Sequence, residues 1–300
     1  MSEPALQGLP DGWTVFRRSR KMDLVYKMLL AEAWLSGDAE RMKRAETDYL
    51  EMQRARFGFF ENTPRRTKPA DFIAAFRRTA ESIRARGFAP EADPVHLEEG
   101  TMELVDGHHR LACCLVFGIP CRFAFQPPRN PGRIPISTFR TFRFGGMAES
   151  VLRRGIRAYL RLNERARLME FPTRLSEERA IAEFERARDC VVWHSSPRSG
   201  GFLFVASFPS GVPSDAPSSE ASRALAEELF AEVEDPDWRA RAEERKPLAR
   251  KLRMLRLRYE LTLPFRFGKR REKAKWHIAE LGCRERAETM LADYVTGGGR

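Results

Sequence analysis

The stretch VDGHHRLACCLVFGIP, residues 105–120, carries the densest local information in the chain. It reads as the end of a strand at Val105, a turn at Asp106-Gly107, and a helix from about His109 to Phe117 that Gly118 ends. Leu111 to Phe117 is an unbroken apolar run, so the helix is expected to be buried and to hold the turn rigidly. Gly107 permits a tight turn and a close approach of ligand to backbone. His108, His109 and Arg110 then fall in the first helical turn, where backbone N–H groups and the positive end of the dipole face outward. Two imidazoles and a guanidinium at that end make an anion site suited to phosphate. Asp106 would repel a phosphate unless a cation bridges them, so it points to Mg²⁺ or to a hydroxyl partner. A zinc site built from His108, His109, Cys113 and Cys114 is a rival reading. Cys113 and Cys114 point to different sides of a helix, and small core residues are the simpler account of them.

Working outward, residues 21–56 read as helix, with Leu24, Met28, Leu35, Met42, Ala45 and Tyr49 at helical multiples and a break at Ser36-Gly37-Asp38. FGFFENTPRRTKPADF reads as a loop, after which Thr67 or Asp71 starts a helix that Gly87 stops. Phe72, Ala75, Phe76, Ala80 and Ile83 give that helix its apolar face. Short strands are expected at Pro94–Leu97, Met102–Val105 and Ile119–Phe125. Downstream, residues 148–170 read as a basic helix, and Ser176 starts another. Cys190–His194 and Phe202–Phe208 read as strands joined by SSPRSGG, and 209–222 as a linker. The FRTFRF stretch, residues 139–144, reads either as an edge strand with one buried face or as a base-stacking stripe. His194-Ser195-Ser196 with Gly200-Gly201 reads as a plain turn, with a phosphate-contacting loop as the alternative.

The run from Phe57 to Phe125 resembles the ParB/sulfiredoxin-like superfamily. Glu81-Ser82-Ile83 with Gly87, a strand near Pro94-Val95, and VDGHHRLA…FGIP carry the resemblance. Sulfiredoxin has a cysteine where His108 stands, and chromosome-partitioning ParB proteins have a Gly-Glu-Arg-Arg type motif there. The Asp-Gly-His-His-Arg core is instead similar to that of the archaeal free serine kinase, and the chain also looks like ParB-like proteins of surface-polysaccharide gene clusters. The resemblance implies a nucleotide, ATP or ADP with CTP as a further option, whose phosphate is held by Gly107, His108, His109 and Arg110. It implies Mg²⁺ beside Asp106, and catalytic roles for Asp106, His109 and a glutamate acting as base on the acceptor hydroxyl. Glu61 in FFENTP is the positional match, with Glu81 and Asp71 as fallbacks. Phosphoryl transfer is mainly positioning plus neutralisation of spread negative charge, which Arg, protonated His and Mg²⁺ supply.

The 300 residues are 42% apolar and 32% charged, enough for a core and too apolar for a wholly disordered chain. Formal charge is +11, and the segment 239–276 alone holds 15 Lys or Arg against 4 Asp or Glu, which equals the entire excess. Such a cluster attracts nucleic acid, an anionic membrane surface or an acidic partner, unless it is simply a solvated helix face. Leu248, Leu252, Leu255 and Tyr259 put one side of it against the rest of the fold. Five cysteines do not suggest a disulfide framework. No apolar run approaches the roughly 20 residues of a membrane span. The N-terminus lacks a secretory pattern, and a cytoplasmic protein is expected.

The expected architecture is α+β. A helical region, 1–56, precedes a small ParB/sulfiredoxin-like nucleotide-binding domain, 57–145. A mixed, basic and mostly helical region, 146–300, follows, with its linker near 209–219. The expected function is a nucleotide-dependent phosphotransferase acting on a small hydroxyl compound, with a link to surface polysaccharide. The alternatives are a nucleotide-switched nucleic-acid-binding protein and a non-catalytic envelope scaffold.

Overall fold

The computed structural model describes residues 11–19, 21–59, 61–62, 65–89, 91–127, 139–231 and 268–296. Two helices, α2 (Asp23–Ser36) and α3 (Ala39–Phe57), follow the short α1 (Gly12–Arg18). They separate where the sequence breaks, at Gly37 in the left-handed region and at Asp38, whose carboxylate accepts from the Glu40 and Arg41 backbone N–H groups. Nearly every side of α2 is buried, which makes it the central helix of the chain. A two-residue ladder joins β1 (Glu61–Asn62) to β2 (Arg65–Arg66), with Glu61 opposite Arg66. The next helix, α4 (Pro69–Arg86), starts on a proline and on the Asp71 carboxylate, which accepts from the backbone N–H of Thr67 and of Lys68. It stops at Gly87, as expected from the sequence.

The first sheet has the order β4-β3-β5, with β3 at Val95–Glu98, β4 at Leu104–Asp106 and β5 at Phe123–Gln126. Strand β3 pairs antiparallel with β4, His96 opposite Asp106, and parallel with β5, Val95 beside Phe123. The crossover between β4 and β5 is α5 (His108–Phe117), whose Leu111, Ala112, Cys113 and Cys114 are buried against α2 and α4.

The second sheet is antiparallel, β6-β8-β7, with β6 at Ala166–Pro172, β7 at Val191–Arg198 and β8 at Gly201–Ser207. One face carries α8 (Glu177–Arg188) over an aromatic cluster of Phe171, Phe184 and Phe204. The other face sends Leu168, Trp193, Leu203 and Val205 into the main core, with α7 (Glu149–Leu162) and α9 (Ser219–Leu229) packed there. Gly155 lets α7 approach α2 closely, because a Cβ at this position would collide with the Tyr26 hydroxyl. Three arginines of α7 are tied to acids on three other helices. Arg154 meets both oxygens of Asp48, Arg161 reaches Glu32, and Arg157 reaches Glu227. The last helix, α10 (Gly268–Val295), docks on α3 and α4 through Cys283, Ala287 and Leu291, and its Glu288 pairs with Arg54. One core therefore runs from Val15 to Leu291 and draws on residues from all three sequence segments.

Mixed helix and sheet agree with the expected α+β class, and four local expectations are corrected. The helix expected over 148–170 ends at Leu162, and 166–172 is strand β6. Ala166, Leu168, Met169 and Glu170 are good helix formers, yet the ladder to β8 overrides that preference. The FRTFRF stretch is helix α6 (Phe139–Phe144), not an edge strand, and buries Phe139 and Phe142 three residues apart. Of the 209–222 stretch, 209–218 is a packed loop rather than a spacer and 219–222 open α9. Val212 and Ala216 lie on the α8 cluster, Asp215 pairs with Arg188, and Ser218 caps α9. Ser199-Gly200 is the turn of the β7–β8 hairpin, while His194 and Ser195 are buried within β7. Most of the basic segment, 239–267, lies outside the described residues, as do Leu248, Leu252, Leu255 and Tyr259. Among the described residues no helix is long and apolar enough to cross a membrane.

Candidate phosphate site

Strand β4 ends at Asp106, and Gly107 turns the chain at φ 88°, in the left-handed region. A Cβ on Gly107 would sit 3.0 Å from the Val95 Cα and 3.3 Å from the Arg110 Nε, so the corner is closed to other residues. Helix α5 begins directly after it without a side-chain cap. This is the rigid corner that the sequence implies.

The three side chains that follow do not converge in front of it. His108 turns toward α2, with Nε2 enclosed, no hydrogen-bond partner, and Asp23 Oδ2 at 3.9 Å. His109 turns toward α3, where its Nε2 lies 2.9 Å from the Tyr49 hydroxyl. Gln53 donates to that same hydroxyl at 2.9 Å, so the Tyr49 oxygen sits between the amide and the imidazole. Phe76 and Tyr49 both pack edge-on against the His109 ring. Burial, reinforced by Lys27 and Arg56 around His108 and by Lys27 and Arg66 around His109, pushes both imidazoles well below their ordinary range. Both are neutral at neutral pH. The expectation of protonated histidines on a phosphate is corrected accordingly.

Arg110 folds back across Gly107 and donates to Asp93 at 2.9 Å and to the Pro94 carbonyl at 3.2 Å. Asp106 is exposed and accepts from the Gly107 N–H at 2.6 Å. For Glu61 only the backbone is described, and its register places it across from Arg66. Of the fallbacks, Asp71 is committed to capping α4, and Glu81 is exposed on that helix. Cys113 and Cys114 lie in the core, where burial pushes the Cys113 thiol up. Among the described residues no three His, Cys, Asp or Glu side chains converge on a metal position, so the zinc reading has no support.

Two features around this corner were not legible in the sequence. The first is a buried charge cluster behind α5. Asp23 is 0% exposed, accepts from Lys27 Nζ at 2.5 Å, and faces Arg56 Nη1 at 2.8 Å. Burial pushes its carboxyl up, but Arg56 and Lys27 outweigh that and hold it well below the ordinary range. Lys21, 3% exposed, is lowered to about 8 by burial and by Arg56, with Asp23 and Glu103 opposing. The one local signal was Asp23 and Lys27 at i,i+4 in a helix whose only other charged residue is Glu32.

The second is an open cleft of about 340 Å³ between α4 and the corner. Arg66 from β2, Arg78 from α4 and Arg110 from α5 line it, with the hydroxyls of Thr79 and Ser82 and an apolar side formed by Ile83 and Phe88. Three guanidinium groups from three elements, next to hydroxyls and an apolar wall, suit a ligand with an anionic end and a flat or apolar body. Compared with known proteins, the chain matches no family model, no curated protein and no solved structure.

Proposed function

We propose that the protein is a nucleotide-dependent phosphotransferase that binds the phosphate chain of ATP or ADP in the cleft beside the Gly107–Arg110 corner and acts on a small hydroxyl compound. The observation that carries this reading is the convergence of Arg66, Arg78 and Arg110 on a cleft of nucleotide-like chemistry next to that corner. Arginine fits phosphate through its planar fork and keeps its charge at any working pH. Thr79 and Ser82 line the same cleft, Thr79 donating to the Ala75 carbonyl and Ser82 accepting from Arg86, and Ile83 and Phe88 give it an apolar side that suits a base. The resemblance around VDGHHR supports the same reading.

Neutral His108 and His109 hold the corner rather than neutralise charge, so the arginines carry that task. Glu61 is proposed as the base on the acceptor hydroxyl, since its register sets it opposite Arg66. Mg²⁺ is held mainly by phosphates and by one or two carboxylates, and Asp106, exposed at the end of β4 before the corner, is the carboxylate that would hold it. When bound, it screens the charge of the transferred group.

Calorimetric titration with ATP, ADP and CTP in Mg²⁺ tests this. Binding of at least one nucleotide is expected, weakened about tenfold or more by Arg110→Ala or Arg78→Ala, the loss of a charged hydrogen bond. Absence of binding, or binding that neither substitution changes, overturns it.

A further inference from the structure

We infer that Asp93 is a resting seat for the Arg110 guanidinium, that Arg110 exchanges it for a ligand's phosphate, and that His96 holds the released carboxylate back. This inference rests on the nucleotide reading above, and it assigns roles to Asp93 and His96, which that reading leaves unused. Three observations carry it. The first is how the carboxylate is shared. Its Oδ2 takes Arg110 Nη2 at 2.9 Å, and its Oδ1 lies 3.1 Å from His96 Nε2. An ionised carboxylate only accepts, so the imidazole nitrogen is the donor. That bond holds the Asp93 carboxyl below its ordinary range, with the Arg110 charge adding to it. The second is how little of Arg110 the seat uses. One nitrogen, Nη2, makes both bonds, to Asp93 and to the Pro94 carbonyl at 3.2 Å, while Nε is enclosed without a hydrogen-bond partner among the described residues. A guanidinium has five donors in a planar fork, and a phosphate takes two of them in parallel. Exchanging the carboxylate oxygen for a phosphate therefore improves the bonding of Arg110. The third is mounting. His96 stands on β3, the middle strand of its sheet, between Val95 and Leu97, which are both buried. Asp93 lies in the loop before that strand, its side chain 58% exposed, next to Ala92 of the cleft wall.

A donor on a fixed strand thus restrains an acid on a loop. Without His96, both oxygens of Asp93 would be open to the Arg110 fork, and a bidentate carboxylate competes with phosphate more strongly than a single oxygen does. His96 acts on the ligand through Asp93 and Arg110, so it is a positioning residue rather than a catalytic one.

The test uses the full chain in Mg²⁺ and compares ADP with adenosine, which has the same base and sugar but no phosphate. His96→Val removes the donor and keeps a residue that suits a strand. It is expected to weaken ADP by about threefold, the scale of one exposed ion pair, and to leave adenosine unchanged. His96→Gln, which keeps a donor, is expected to restore most of the lost affinity. In an Asp93→Asn background, which itself tightens ADP, His96→Val is expected to change nothing, because the carboxylate it acts through is gone. Thermal melts check folding, and His96→Ala takes the place of His96→Val if that variant does not fold. ADP affinity unchanged by His96→Val, or weakened equally with and without the Asp93 carboxylate, overturns the inference and leaves nucleotide binding intact. A parallel loss of adenosine, the mark of a merely structural role, overturns it too. Wild-type protein that does not bind ADP overturns both this inference and the nucleotide reading.

Discussion

Arg110 and Asp93 meet at 2.9 Å across the top of Gly107, so a guanidinium that lines the cleft is held in place by a carboxylate from the loop before β3. Asp93 is itself exposed and also takes His96 at 3.1 Å. An exposed pair of this kind contributes under about 1 kcal/mol to stability. Asp93→Asn is therefore expected to leave urea denaturation nearly unchanged and to tighten nucleotide binding, since it removes a competing anion. Weaker binding in a stable variant would show that Asp93 orients Arg110 more than it competes for it.

Gly107→Ala forces a Cβ into the left-handed region and onto the Val95 Cα. The expected cost is about 2 kcal/mol or more, from backbone strain plus displacement of β3. Chemical denaturation measures it, and a cost near zero would contradict the corner described here.

Tyr49→Phe removes the hydroxyl shared by Gln53 and His109 and leaves two buried polar groups without their partner. A loss of about 1–3 kcal/mol is expected, with the fold retained, because the aromatic contacts to Phe76 and His109 survive. Denaturation midpoints at constant m-value check it.

Stability is expected to fall as pH drops below 6.5. His194 is lowered to about 4 by burial, with Arg143 adding, and its ring lies against Phe230. A depressed folded pKa means that the unfolded chain binds the proton first. Its contribution is therefore intact above 6.5 and is lost toward pH 4, by about 2 kcal/mol at pH 5. His108 and His109 shift in the same direction. Denaturation measured from pH 7.5 to 5 should give a flatter pH slope in His194→Gln than in the wild type. Parallel slopes would contradict this assignment.

What the sequence revealed was local, and what it concealed depended on distant packing. The break between α2 and α3, the start of α4 between Thr67 and Asp71, and the Gly107 corner each follow from capping and glycine chemistry within a few residues. The directions of His108 and His109 were not legible, because they are set by Asp23 and Tyr49, which lie far away along the chain. Arg66 and Arg78 had no motif to mark them in a chain with 53 Lys and Arg. The strand β6 was concealed by helix-forming residues that only its pairing with β8 overrules.

The most direct measurement of the central claim is a crystal structure grown with ADP and Mg²⁺. The account predicts phosphate oxygens at about 3 Å from the guanidinium nitrogens of Arg66, Arg78 and Arg110, with the base over the Ile83–Phe88 side of the cleft. A nucleotide bound elsewhere on the protein, with that cleft empty at saturating ADP, would contradict it.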